Sequence, residues 1–263
     1  MGDPSLVLGW HAVRWLLRRH PERVRQIWMQ RGREDVRAAE IVSLARTAGT
    51  SIQHAEARSL DAMTGEASHQ GIVASVAPAQ PWDEERLQSH LEALHEPALL
   101  LLLDGIQDPH NLGACLRTAD ACGVQAVIVP RDRAAGLSAT VRKVAAGAAE
   151  TIPFVTVTNL ARTMRSLKER GIWLIGAAVD GVKRCYDADY TGPVGIVMGS
   201  EGEGLRRLTR ESCDVLVSLP MIGAIESLNV SVATGMVLYE AVRQRAGLRP
   251  QESGLSPEEN GGA

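Results

Sequence analysis

From residue 97 onward the chain alternates short, nearly continuous apolar runs with longer amphipathic stretches. The runs 99–103, 126–129, 154–157, 173–177, 194–198 and 215–219 predict strands buried on both faces. The stretches 112–122, 138–148, 159–170, 204–211 and 229–245 predict the helices between them. Strand and helix in alternation give an α/β fold, a parallel sheet with helices on both faces. Upstream, the pattern reads as a smaller α/β unit. An amphipathic helix over 11–19 carries Val13, Leu16 and Leu17 on one side, a strand follows at 27–29, and a second helix over 36–48 ends at Gly49. Residues 51–53 and 71–76 add further strands. The expected organisation is a first domain over 1–78, a charged linker holding a helix over 79–96, a second domain over 97–247, and a Gly-, Pro-, Ser- and Glu-rich tail over 248–263 that reads as disordered.

Composition narrows the class. Of 263 residues, 45% are hydrophobic and 22% charged, as in a soluble globular protein. Aromatics make up only 3%, so the core rests on Leu, Val, Ile and Ala. The longest apolar run, 98–103, is far too short to span a bilayer, and no basic segment leads into an apolar run at the N-terminus. Cys115, Cys122, Cys185 and Cys213 form no CxxC or Cys/His cluster. They predict reduced, mostly buried thiols in a cytoplasmic protein with no metal and no membrane partner. The net charge of −3 argues weakly against nucleic acid, but its distribution does not. The first domain carries ten Arg against eight acids and the second sixteen basic against fifteen acidic residues, so the acidity sits in the linker and tail. An RNA partner is permitted.

Open parallel sheets bind ligands at the carboxyl ends of their strands, and three loops there stand out. The first, 108–119, follows the leucine strand and leads into a small-residue helix with one lone arginine, Arg117. That arginine pairs with Asp104, Asp108 or Asp120, or it waits for an anionic ligand. The second loop, 198–204, has its glycines in the order GxxGxG, the reverse of a dinucleotide fingerprint, and no Walker lysine. Its glycines instead allow backbone to approach a flat neutral ligand such as adenosine. The third, 218–229, opens the last helix. Taken singly, Asn111 reads as a helix N-cap, Glu201 as a loop acid, and Ser227 and Asn229 as capping residues. Placed together at three strand ends of one sheet, they point to a site.

The motifs Asp108-Pro-x-Asn-Leu-Gly-Ala-x-x-Arg-Thr-Ala, Met198-Gly-Ser-Glu-Gly-x-Gly and Leu219-Pro-Met with Ser227-Leu-Asn-Val-Ser-Val-Ala-Thr-Gly, in that order and spacing, resemble the three motifs of the SpoU/TrmH branch of the SPOUT methyltransferases. The resemblance spans 97–247 and extends to 1–78, which is similar to that branch's RNA-binding domain. It implies transfer of a methyl group from S-adenosylmethionine to the ribose 2′-hydroxyl of a guanosine in 23S rRNA. The alternatives are a tRNA ribose methyltransferase of the same branch and a silent RNA-binding protein. It further implies a C-terminal trefoil knot and a homodimer. Asn111, Arg117, Glu201, Ser227 and Asn229 would form the catalytic set, and Gly199, Gly202, Leu219, Met221 and Leu228 the cofactor cradle. Arg117 is expected either to act as the base, the role it is often given in this branch, or to grip phosphate and stabilise a developing alkoxide, which better suits a guanidinium that stays protonated in proteins. Glu226, where relatives often carry a small residue, is expected to face solvent. Arg14, Arg18, Arg19, Arg23, Arg25, Arg31, Arg33 and Arg37 are expected to include the RNA docking surface. Of Trp10, Trp15 and Trp28, which can stack on bases, at least two are expected in the core.

Overall fold

The computed structural model describes residues 5–65 and 69–247; the predicted tail over 248–263 lies outside them. Two sheets organise the chain. The first is built by β1 (Ser5–Leu8), α1 (Trp10–Arg19), β2 (Val24–Gln30), α2 (Val36–Ala48), β3 (Ile52–Ala55), α3 (Ala57–Thr64) and β4 (Ile72–Val76), in strand order β1-β4-β2-β3. Val13, Leu16, Ile27, Ile41 and Ile72 form its core, and Trp10 and Trp15 pack against it. Asp35 caps α2 by accepting from the Ala38 amide, and Gly49 closes it in the left-handed conformation.

After α4 (Glu84–Glu92) come β5 (Leu99–Asp104), α5 (Pro109–Ala121), β6 (Ala126–Pro130), α6 (Ala139–Ala145), α7 (Ala148–Thr151), β7 (Phe154–Val157), α8 (Leu160–Glu169) and β8 (Trp173–Ala177). They are followed by β9 (Lys183–Arg184), β10 (Val194–Gly199), α9 (Arg207–Ser212), β11 (Val215–Ser218) and α10 (Val230–Ala246). The seven strands run in the order β7-β6-β5-β10-β8-β11-β9, all parallel. Alternate residues of β5 face two separate cores. Leu99, Leu101 and Leu103 pack toward α5 and α10, while Leu100 and Leu102 pack toward α4 and α8. An all-leucine strand is what burial on both faces demands.

Three expectations are corrected. The helix predicted over 112–122 begins at Pro109, because Asp108 caps it by accepting from the His110 amide and proline suits the first helical position; Asn111 is therefore inside the helix, not its cap. The helix predicted over 138–148 breaks in two, since Ala146 takes the left-handed conformation at φ 51°. The helix predicted from 204 starts at Arg207, because Gly204 is committed to a backbone bridge with Ser200. Within the expected linker, α4 forms over Glu84–Glu92. Trp82 donates to the Phe154 carbonyl and accepts from Thr156, adding one rung to the edge of β7.

Gly113 sets how closely α5 and α6 approach. A β-carbon there would sit 2.7 Å from Val144 Cβ and 3.0 Å from the Val141 carbonyl. Gly113→Ala is expected to lower stability by about 1–3 kcal/mol through overpacking, read from urea denaturation with an unchanged m-value.

Candidate active site

The carboxyl ends of β5, β10 and β11 converge, and the in-register pairing of β5 with β10 places Asp104 opposite Gly199. The loops leaving these ends bring three of the predicted residues together. Asn229 caps α10 with its Oδ1, which accepts from the Ser231 amide at 2.9 Å and hydroxyl at 2.6 Å. Its Nδ2 donates to Asn111 Oδ1 at 2.9 Å and to Glu201 Oε1 at 2.6 Å. The amide of Asn229 is thus saturated as donor, and its capping role and its place in the cluster coexist. Glu201 Oε1 also accepts from the Val230 amide at 3.2 Å, at the positive end of the α10 dipole. Glu201 Oε2 and Asn111 Nδ2 have no partner among the described residues, which leaves one acceptor and one donor for a ligand. The Glu201 charge also reaches Cys115. That thiol is pushed up to about 11 by burial, against the opposing hydrogen bond with Thr234, with Glu201 adding a smaller push upward.

Arg117 and Ser227 stand outside this cluster. Ser227 is exposed and makes no hydrogen bond among the described residues. Arg117 lies on the same helix as Asn111 but about 9 Å further along it, exposed and without a partner among the described residues. The three acids offered as its structural partners are all engaged elsewhere. Asp104 takes Arg206, Asp108 caps α5, and Asp120 accepts from Thr151. The ion-pair reading of Arg117 is therefore excluded, and its charge is available to an anion. Glu226 faces solvent.

The cradle residues divide. Gly199 serves the protein's own backbone: a β-carbon there would fall 2.1 Å from the Gly204 carbonyl carbon, where Ser200 and Gly204 exchange two hydrogen bonds. Gly202, at φ +85°, has open space around its α-carbon. Leu219, Met221 and Leu228 are half-buried, while Ile222 and Ile225 are 98% and 64% exposed. Among the described residues, the peptide groups of 219–228 make no backbone–backbone hydrogen bond. Free amides and carbonyls beside exposed isoleucines suit a ligand with a polar edge and an apolar face, and adenosine is such a ligand.

The family model of the SpoU rRNA methylase family matches residues 98–239, over half of the chain, and a model for RNA 2′-O ribose methyltransferase substrate binding matches residues 6–82. The chain belongs to the SpoU rRNA methylase family. It is 56% identical over 249 residues to the 23S rRNA (guanosine-2′-O-)-methyltransferase RlmB of Pseudomonas syringae, covering 95% of this chain and 99% of that one. It is 52% identical over 242 residues to the Escherichia coli protein of the same name, covering 92% and 99%. Among solved structures, the SpoU methyltransferase AviRb from Streptomyces viridochromogenes, crystallised with AdoMet, superposes with a TM-score of 0.68 at 27% identity, covering 93% of this chain and 92% of that chain.

One residue pair that holds this SpoU methylase site was missed in the sequence. Asp104, fully buried, accepts from the Arg206 amide at 3.0 Å and from Arg206 Nε at 2.6 Å. That pair closes the loop carrying Glu201 onto the end of β5. An acid ending an otherwise pure leucine strand was the available signal. Because Arg206 is 40% exposed and can be solvated when unpaired, Asp104→Asn is expected to cost only about 1–3 kcal/mol. Amide exchange should accelerate in the loop from Ser200 to Arg206 while the β5 core stays protected.

Proposed function

We propose that the chain transfers a methyl group to the ribose 2′-hydroxyl of a guanosine in 23S rRNA, with S-adenosylmethionine as donor. The observation that carries this reading is the Asn111–Asn229–Glu201 cluster at the convergence of three family motifs, in a chain whose relatives of that activity match it along nearly all of its length. Gly202, Leu219, Met221 and Leu228, with the exposed Ile222 and Ile225 beside them, would hold S-adenosylmethionine, which when bound would supply a methyl carbon already activated by its sulfonium. A sulfonium methyl is already activated, so its transfer needs no Lewis acid.

What the protein must add is position and a route for one proton. Asn111 Nδ2 orients the ribose. Arg117 grips the neighbouring phosphate and stabilises the negative charge that develops on the 2′-oxygen, a role a planar, permanently charged guanidinium suits. Glu201 Oε2, the oxygen left without a partner, would accept the proton that the 2′-hydroxyl loses. Ser227, exposed on the loop before α10, belongs to the substrate side of the same set.

The remaining parts of the reading have structural support. Residues 1–78 form the substrate-binding domain, 79–96 the connection and 97–247 the methyltransferase domain, matching the two separate sheets. The C-terminal trefoil knot is supported by β10, which follows β8 in sequence yet lies between β5 and β8. A homodimer is supported by Val232, Met236 and Tyr239. These sit at helical spacing on α10 and are 40–57% exposed. Among the described residues no helix is long and apolar enough to cross a membrane.

Labelled S-adenosylmethionine incubated with unmodified 23S rRNA and tRNA side by side should label only the rRNA, at a single guanosine ribose. Label in tRNA alone, or in neither, would overturn the reading. Arg117→Lys should lower kcat by about 10²-fold, the scale of removing one oriented charge donor, with cofactor affinity unchanged by calorimetry.

A further inference from the structure

The one acid in the small-residue stretch from Ala145 to Ala149 and beyond is Glu150, and it is 4% exposed. Both of its oxygens are engaged. Oε1 accepts from Arg142 Nη1, and Oε2 accepts from Arg23 Nη2 and from the Ala79 amide at 2.7 Å. The two arginines extend the cluster. Arg23 donates through Nη1 to the Glu150 carbonyl at 2.9 Å and through Nε and Nη2 to the Ala77 carbonyl at 3.1 and 3.0 Å. Arg142 donates to the Ala79 carbonyl at 2.9 Å and to the Leu137 carbonyl at 3.2 Å. One carboxylate therefore ties together the first sheet (through Arg23), the connecting segment (Ala77 and Ala79) and the second domain (α6 and α7). Arg23, expected on the RNA docking surface, is drawn into this joint instead.

The backbone around Glu150 is shaped for the same contact. Ala146 holds the left-handed conformation, and Gly147 at φ +98° abuts the first domain, where a β-carbon would lie 3.5 Å from Ala12 Cβ and 3.7 Å from Val7 Cγ1. A non-glycine residue held at positive φ costs free energy that the surrounding contacts must offset. Beside the joint runs a cleft of about 550 Å³ lined by His11, Arg18 and Arg19 on one wall and Asp120, Gly147 and Thr151 on the other.

We propose that Glu150 is a positioning residue for the RNA substrate: its buried carboxylate, held between Arg23 and Arg142, fixes the angle at which the N-terminal domain is presented to the methyl-transfer site. This rests on the RNA-methyltransferase reading above. Fixing that angle matters because a long RNA must engage both domains at once, and a rigid spacing makes the second contact intramolecular. Without the carboxylate, two guanidiniums face each other with no counter-charge.

Full-length Glu150→Gln and Arg23→Gln are compared with the native chain. For both, KM for 23S rRNA is expected to rise by about tenfold or more, the scale set by loss of one partner from a buried charge pair. The kcat at saturating rRNA and the calorimetric affinity for S-adenosylmethionine should hold. Small-angle scattering should show a broadened distance distribution and a larger radius of gyration. Arg23→Gln leaves Glu150 paired with Arg142, so it keeps the test open if Glu150→Gln fails to fold. Folded variants with unchanged KM and unchanged scattering would overturn the proposal. So would a fall in kcat with KM unchanged. If the native chain labels no RNA, the functional reading fails, while scattering still decides whether Glu150 sets the domain angle.

Discussion

Six parallel rungs join β5 to β10, from Leu99 opposite Val194 to Asp104 opposite Gly199. The site depends on this pairing more than on any other contact. β10 arrives late in the chain and lies between β5 and β8, so the sheet is completed from its middle rather than its edge. β5 reads five leucines and then Asp104, so a slip of one residue would exchange leucine for leucine and displace only the buried acid from its place opposite Gly199. The register is therefore marked by the strand's last residue. At the last rung it sets the start of the Glu201 loop beside Asp104, whose carboxylate takes the Arg206 amide and guanidinium and returns that loop to the sheet. The precision of the loops is inherited from the strands beneath them.

Once the loop is returned, the cluster above it follows from ordinary capping chemistry. An asparagine at the start of α10 must offer its oxygen to the helix, which turns its amide outward. Asn111 and Glu201 are the acceptors it meets there. Glu201 in turn answers an unpaired amide at the helix start. The same contacts that stabilise the helix terminus thus leave Asn111 with a free donor and Glu201 with a free oxygen. A structural cap and a reactive arrangement here are one set of hydrogen bonds, so neither reading of Asn229 displaces the other.

How much of this was legible depended on whether the signal was local. The leucine strand declared itself because two-sided burial leaves no room for polar residues. The loops at 198–204 and 219–229 were found because glycines and motif residues sit at strand ends. Asp108 followed by Pro109 was a visible helix start, and Asn111 was misread as the cap because the apolar run seemed to begin after it. The break at Ala146 was signalled only by Gly147, a glycine inside an otherwise helical pattern, since alanine itself favours the helix; Gly147 packs against the first domain there. Partners distant in sequence were hidden. Asp104 meets Arg206, which lies 102 positions away, and Arg23 meets Glu150 across 127. A charge inside an apolar stretch was readable as an anomaly, but its partner was not.

Helix α5 joins the two places where those long-range contacts matter. It runs 13 residues from Pro109 to Ala121, and Asn111 in the site and Asp120 near its far end lie about 14 Å apart along it. There Asp120 accepts from Thr151 at 2.6 Å, on the short helix that also carries Glu150. Partial burial raises the Asp120 pKa while the Thr151 hydroxyl pulls it down, so the junction is polar and paired although Asp120 keeps an exposed side. The N-terminal domain is thus braced against one end of a rigid rod whose other end supplies an oriented amide to the methyl-transfer cluster. Arg117 lies between the two, unpaired on the exposed face. Under the proposed function, an RNA backbone running from the first domain to the site along this helix would meet that guanidinium on its way, which would give a purpose to a lone exposed arginine on an otherwise apolar helix.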